Sequence, residues 1–331
     1  MPGFPEFGPH LFRPEAVDEE TRAFNAQLEA LLQTVPAVHT QPAAVTRAQR
    51  ESGQGVFGPI VRSDMAVERR IPGPGGALPL RLFVPERVDG VYLHLHGGGW
   101  VLGGAHHQDP RLEAIARTCH VAVVSVEYRL APEHPYPAGP DDCEAAALWL
   151  AGNASQEFGS DRLVIGGESA GAHLTAVTLL RLRDRHGFTG FRGANLVYGG
   201  FDLTMTPSVA RWGERNLVLS TPIIRWFIEQ FVPDPARRRD PDVSPLYADL
   251  RDLPPALFTV GTLDPLLDDT LFMYGRWVAA GNEAELAVYP GGVHGFNLFP
   301  TALARRANER IDAFIRRVVE AAEPAGEAAA R

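Results

Sequence analysis

Leu163-Val164-Ile165-Gly166-Gly167-Glu168-Ser169-Ala170-Gly171 carries a short apolar stretch straight into a Gly-x-Ser-x-Gly pentapeptide, and an Ala/Leu-rich segment, Ala170–Arg183, follows. A strand, a sharp turn and a helix in that order present a serine hydroxyl at the end of a sheet. The turn is tight enough that bulky residues two positions either side of the serine would strike neighbouring backbone. Gly167 and Gly171 meet that demand, which makes Ser169 the candidate nucleophile.

The surrounding pattern supports a sheet covered on both faces. Apolar strands are expected at Val91–Leu95, Val121–Val126, Leu163–Ile165, Ala194–Tyr198, Ala256–Val260 and Ala284–Tyr289. Helices are expected at Asp141–Leu150, Ala170–Arg183, Asp268–Ala280 and Thr301–Ala321. Such alternation implies a parallel sheet between two helical layers. Upstream, Met65–Ile71 and Leu78–Val84 flank Pro72-Gly73-Pro74-Gly75-Gly76, a hairpin signal. Val17, Phe24, Leu28, Leu31 and Leu32 recur at helical spacing between Pro14 and Pro36. Between Phe201 and Tyr247 no strand is expected, only a helix after Ser220-Thr221-Pro222 bearing Ile223, Trp226, Phe227 and Phe231. The expected organisation is an N-terminal helical part of a cap (1–55), a first part of the core (56–200), a cap insertion (201–247), a second part of the core (248–322) and a flexible tail (323–331).

A serine needs a base, and the base needs an orienting acid. In this architecture they follow the serine in the order acid, then histidine, each on a loop after a strand. Asp264 follows Ala256–Val260, and His294 follows Ala284–Tyr289. Both then fall at the carboxyl ends of strands, where open sheets meet ligands. Asp268 and Asp269 suit helix capping better. His96-Gly97-Gly98-Gly99-Trp100 follows Val91–Leu95, and consecutive glycines let backbone N–H groups turn toward a developing oxyanion. His96 itself is expected to brace that loop.

Composition removes other chemistries. All 31 basic residues are arginine, so Walker-type phosphate loops, Schiff-base enzymes and Ser-x-x-Lys acyl transferases are excluded. A net charge of −9 argues against binding a phosphate backbone. No run of 18 apolar residues offers a membrane span, the opening Met1-Pro2-Gly3-Phe4-Pro5-Glu6 lacks a leader pattern, and Cys119 and Cys143 lack zinc spacing. A cytoplasmic location without cofactor or metal is expected.

Together, His96–Trp100, Tyr128–Ala138, Gly167–Gly171, Asp264-Pro265-Leu266 and His294-Gly295-Phe296 resemble the hormone-sensitive lipase-like carboxylesterases of the α/β-hydrolase superfamily. The resemblance spans residues 60–320. It implies an α/β-hydrolase fold, a mostly parallel eight-stranded sheet with a helical cap, and hydrolysis of short- to medium-chain carboxylic esters. Position by position it implies a triad of Ser169, Asp264 and His294 and oxyanion donors at Gly98, Gly99 and Ala170, with Gly97 still open. It makes a homodimer plausible and implies that Ala131-Pro132, Tyr136-Pro137 or both are cis. Glu168 stands where the family usually has Asp. In the Tyr128–Ala138 turn, Arg129 is expected to pair with Glu133.

Other readings of the same residues are an amidase, lactonase or deacetylase on the same triad, a metal hydrolase using His94, His96, His106 and His107, and a non-enzymatic receptor. The three glycines after His96 count against the metal reading, and the complete triad counts against the receptor.

Overall fold

The computed structural model describes residues 7–321. The opening hexapeptide and the tail expected at 323–331 lie outside the described residues.

The chain begins with two helices, α1 (Glu19–Leu32) and α2 (Ala43–Glu51), before an antiparallel hairpin of β1 (Val67–Gly73) and β2 (Gly76–Phe83). Then come β3 (Gly90–Leu95), α3 (Asp109–Cys119), β4 (Val121–Val126), α4 (Ala138–Phe158), β5 (Leu163–Glu168), α5 (Ala170–His186) and β6 (Phe191–Val197). Two short helices, α6 (Pro207–Trp212) and α7 (Thr221–Phe231), precede β7 (Ala256–Leu263), α8 (Leu267–Ala279), β8 (Ala284–Val293) and α9 (Ala302–Glu320). One eight-stranded sheet results, in the order β1-β2-β4-β3-β5-β6-β7-β8, parallel from β4 to β8.

Successive residues of a strand face opposite sides, so one apolar run feeds two cores. Along β3, Leu93 and Leu95 join the core under α4 and α5, whereas Tyr92 points to the core beneath α3 and α9. β4 divides likewise, with Val124 and Val126 on one side and Val121 and Val123 on the other.

Several expectations shift. The N-terminal helix starts at Glu19 rather than at Pro14, because the Asp18 carboxylate accepts the Thr21 N–H at 2.7 Å and caps it. Helix α3 was not expected, although Leu112, Ile115, Ala116 and Cys119 give it a buried face at helical spacing. It ends on His120 in the left-handed region (φ 53°) instead of on a glycine, so the usual stop signal is missing. Both Ala131-Pro132 and Tyr136-Pro137 are cis.

The Arg129–Glu133 pair is corrected. Arg129 binds Asp142 through Nε and Nη2 at 2.8 and 2.9 Å, and Glu133 is held by Arg47 of α2 at 2.8 and 3.0 Å. Asp268 and Asp269 do not cap α8, whose cap residue is Leu266. Asp268 accepts the Ser208 N–H, and Asp269 accepts the N–H groups of Phe201 and Asp202 and the Thr206 hydroxyl. These bonds fasten the segment after β6 to the core. Among the described residues no helix is long and apolar enough to cross a membrane.

Candidate active site

β5 delivers Ser169 into a conformation that L-residues avoid, with φ 56° and ψ −119°. The surroundings enforce it. A Cβ on Gly167 would lie 2.1 Å from the Leu95 carbonyl oxygen, and one on Gly171 only 1.8 Å from the same atom. β5 and α5 thus pass against the end of β3 at a separation that only glycine permits.

β7 and β8, paired in parallel, bring the other two residues to this point. His294 Nε2 lies 2.8 Å from Ser169 Oγ, and His294 Nδ1 lies 2.9 Å from Asp264 Oδ2. With Nδ1–H donated to the carboxylate, Nε2 is left to accept the serine proton. Asp264 Oδ1 accepts the Leu266 N–H at 2.9 Å, which fixes the carboxylate; Asp264 and His294 are buried, and Ser169 is half-buried. Tyr198, at the end of β6, flanks the imidazole with ring centroids 4.7 Å apart and anchors its hydroxyl on Asn297 at 2.5 Å. Its place beside the imidazole was not foreseen, though its position as the last residue of the expected strand Ala194–Tyr198 was a usable signal.

The glycine loop lies over the serine. Among the described residues none accepts a backbone hydrogen bond from Gly97, Gly98, Gly99 or Ala170, so these N–H groups are available to a ligand. Gly98 adopts φ 125°, and a Cβ there would lie 2.1 Å from the Leu102 carbonyl oxygen. His96 braces the loop as expected. Its Nδ1–H donates to the Gly97 carbonyl at 2.9 Å, its ring stacks on Tyr128 at 4.1 Å, and burial pushes its pKa down to about 3, which keeps it neutral. Tyr128 donates its hydroxyl to the His96 carbonyl at 2.6 Å, and the Ala131 N–H donates to the Trp100 carbonyl at 2.9 Å. The proline-rich turn is therefore the floor of the glycine loop. Trp100 donates Nε1–H to His173 Nδ1 at 3.1 Å and stacks on Phe231 of α7 at 4.7 Å.

Glu168 turns away from the triad. It takes hydrogen bonds from His94 Nε2 at 3.0 Å and Gln108 Nε2 at 3.1 Å. Burial raises its pKa, but His94 and Gln108 outweigh that and hold the carboxyl below its usual range.

The four histidines of the metal reading do not converge. His94 bridges Ser125 and Glu168, and His96 binds its own loop. His106 and His107 instead share Glu51 Oε1 of α2, at 2.9 and 2.7 Å. Among the described residues these last three form the one grouping whose atoms could converge on a metal ion.

A cavity of about 340 Å³ opens above Ser169 and His294. Ile223, Ile224, Phe227 and Ile228 of α7 form one wall, and Leu32, Val35 and Val38 of the N-terminal segment form another.

Residues 92–298 match a family model described as the alpha/beta hydrolase fold. A carboxylic ester hydrolase, LipN, of Mycobacterium tuberculosis is 34% identical over 300 residues, covering 86% of this chain and 72% of its own. An ethyl acetate hydrolase of Pseudomonas putida is 32% identical over 297 residues, covering 83% and 92%. Among solved structures, a hyperthermophilic esterase from Pyrobaculum calidifontis superposes with a TM-score of 0.82 at 30% identity, covering 94% of this chain and 99% of its own. The carboxylesterase EstE1 from a metagenomic library superposes at 0.79 with 31% identity, covering 85% and 99%.

Proposed function

The chain belongs to the hormone-sensitive lipase-like family of α/β hydrolases and is a carboxylic ester hydrolase, and from that premise we propose that Ser169 is its nucleophile, His294 its general base and Asp264 the orienting acid. The observation that carries the assignment is the unbroken run of contacts from Asp264 through His294 to Ser169 Oγ at the base of the cavity.

Ser169 Oγ attacks the ester carbonyl carbon while His294 Nε2 takes its proton. The carbonyl oxygen gains the negative charge and is met by the N–H groups of Gly98, Gly99 and Ala170. Collapse expels the alkoxide, which leaves as the alcohol with the proton from His294. Water, deprotonated by the same imidazole, then attacks the acyl-enzyme, and the carboxylic acid departs. Asp264 holds the Nδ1–H tautomer throughout and stabilises the transient imidazolium.

A cavity near the lower end of the range for small-ligand sites, which runs from about 300 Å³, suits short to medium acyl chains. Residues 7–55 and 201–247 act as the cap that closes it. The two cysteines, buried and unpaired, accord with a reducing cytoplasm, and the family likeness supports a homodimer, which light scattering tests. A panel of p-nitrophenyl esters of increasing acyl length tests the reading. The expected result is the highest kcat/KM at short to medium chains and a fall beyond them; a panel without turnover would overturn it.

A further inference from the structure

Among the described residues the buried arginines face carboxylates. Arg81 pairs with Asp109, Arg111 with Asp312, and Arg181 with Asp141, Glu144 and Asp242. On α2 itself, Arg47 donates to the Val101 and Ala131 carbonyls at 2.7 and 2.6 Å and grips Glu133. Arg50, three residues further along α2, has no hydrogen bond and no ion pair among the described residues; its guanidinium only lies over the Phe57 ring, 5.2 Å from the centroid. The adjacent Glu51 is already engaged by His106, His107 and, at 3.8 Å, Arg62. An arginine stays charged at any working pH, and this half-buried guanidinium, with no carboxylate of its own, presents its N–H donors to whatever enters the cavity.

That partner has a place to sit. Arg50 lines the same cavity as Ser169. So does Thr46, four residues earlier and on the same face of α2, whose hydroxyl is buried without a partner. We propose that Arg50 receives a carboxylate borne by the substrate, so that the preferred esters carry a free acid group at one end and present the ester carbonyl to Ser169 at the other. This rests on the serine-esterase reading above and adds the substrate class. A guanidinium fork matches two carboxylate oxygens. One cation, in a chain without lysine, balances a monoanion rather than a phosphate dianion.

The test compares kcat/KM for matched pairs by pH-stat titration: monomethyl adipate against methyl hexanoate, with the acid on the acyl side, and 4-acetoxybutanoate against pentyl acetate, with the acid on the alcohol side. In the wild type the anionic member of at least one pair is expected to be favoured about tenfold, and the responding pair identifies which side carries the acid. Arg50→Gln is expected to cut that anionic-to-neutral ratio by about ten- to a hundredfold, chiefly through KM, and Arg50→Lys to restore part of it. A merely structural role would depress both members of a pair alike. Preference for the neutral member in both pairs of the wild type, or an equal ratio in Arg50→Gln, would overturn the proposal. If neutral esters are turned over in a Ser169-dependent way while the anionic ones are rejected, only the role of Arg50 fails. Turnover of none of the four overturns both readings.

Discussion

Asp264 shows how narrowly a single atom is placed. One of its oxygens faces His294 Nδ1 and the other is spent on the Leu266 N–H, so it holds one imidazole tautomer in one orientation. Asp264→Asn keeps the shape but offers an amide where a carboxylate is needed, and kcat is expected to fall by roughly 10⁴ with the fold retained. Asp268→Asn touches only the Ser208 N–H and should stay within about threefold of wild type, since surface substitutions away from the site rarely shift energies by much. Steady-state kinetics of the two variants decides, and a reversal of their effects would move the acid to Asp268. At this scale the grouping of Ser169, His294 and Asp264 was legible because each sits on a loop immediately after an apolar strand. The partner of Arg129 was not. Glu133 is near in sequence, but the fold returns the first turn of α4 beneath Arg129 and sends Glu133 to α2. Arg50 and Tyr198 were equally silent, because their meaning lies in what surrounds them in space.

Two glycines separate what an element needs from what it tolerates. Gly171, at the start of α5, has the Leu95 carbonyl where a Cβ would go, and backbone cannot yield as a side chain can. Gly171→Ala is expected to destabilise the protein by about 3 kcal/mol or to prevent folding. Gly152, inside α4, has nothing within 4 Å of that position and an ordinary helical backbone. Gly152→Ala should stabilise by about 0.5–1 kcal/mol. Urea unfolding of both variants checks the pair, and a stable Gly171→Ala would contradict the close approach at the elbow. Elements with a strong period or an uninterrupted apolar run were readable from sequence. Helix α3 was passed over despite its spacing, and the ends of β7 and β8 ran further than expected because pairing continues past the apolar residues.

At the scale of the molecule, Asp269 joins the segment leading into α6 to the sheet. It is buried, and burial pushes its pKa up to about 7 against the opposing bonds from Thr206, Asp202 and Phe201. The unfolded chain releases this proton near 3.8, so between about pH 4 and pH 7 the folded state binds one proton more. Asp269 therefore contributes stability that is full below the unfolded value and is lost as pH rises, at about 1.4 kcal/mol per pH unit. Asp269→Asn should remove that slope, measured as the change in unfolding free energy of variant and wild type between pH 5 and pH 8. Equal pH dependence in the two proteins would show that Asp269 is ionised throughout. The proposed reaction depends on one serine, held in a strained turn beside His294. An organophosphonate should add a single adduct mass to the wild-type protein, peptide mapping should place it on Ser169, and Ser169→Ala should fold, take up no adduct and lose about four decades of kcat. An adduct on another residue, or an alanine variant that still hydrolyses esters, would contradict it.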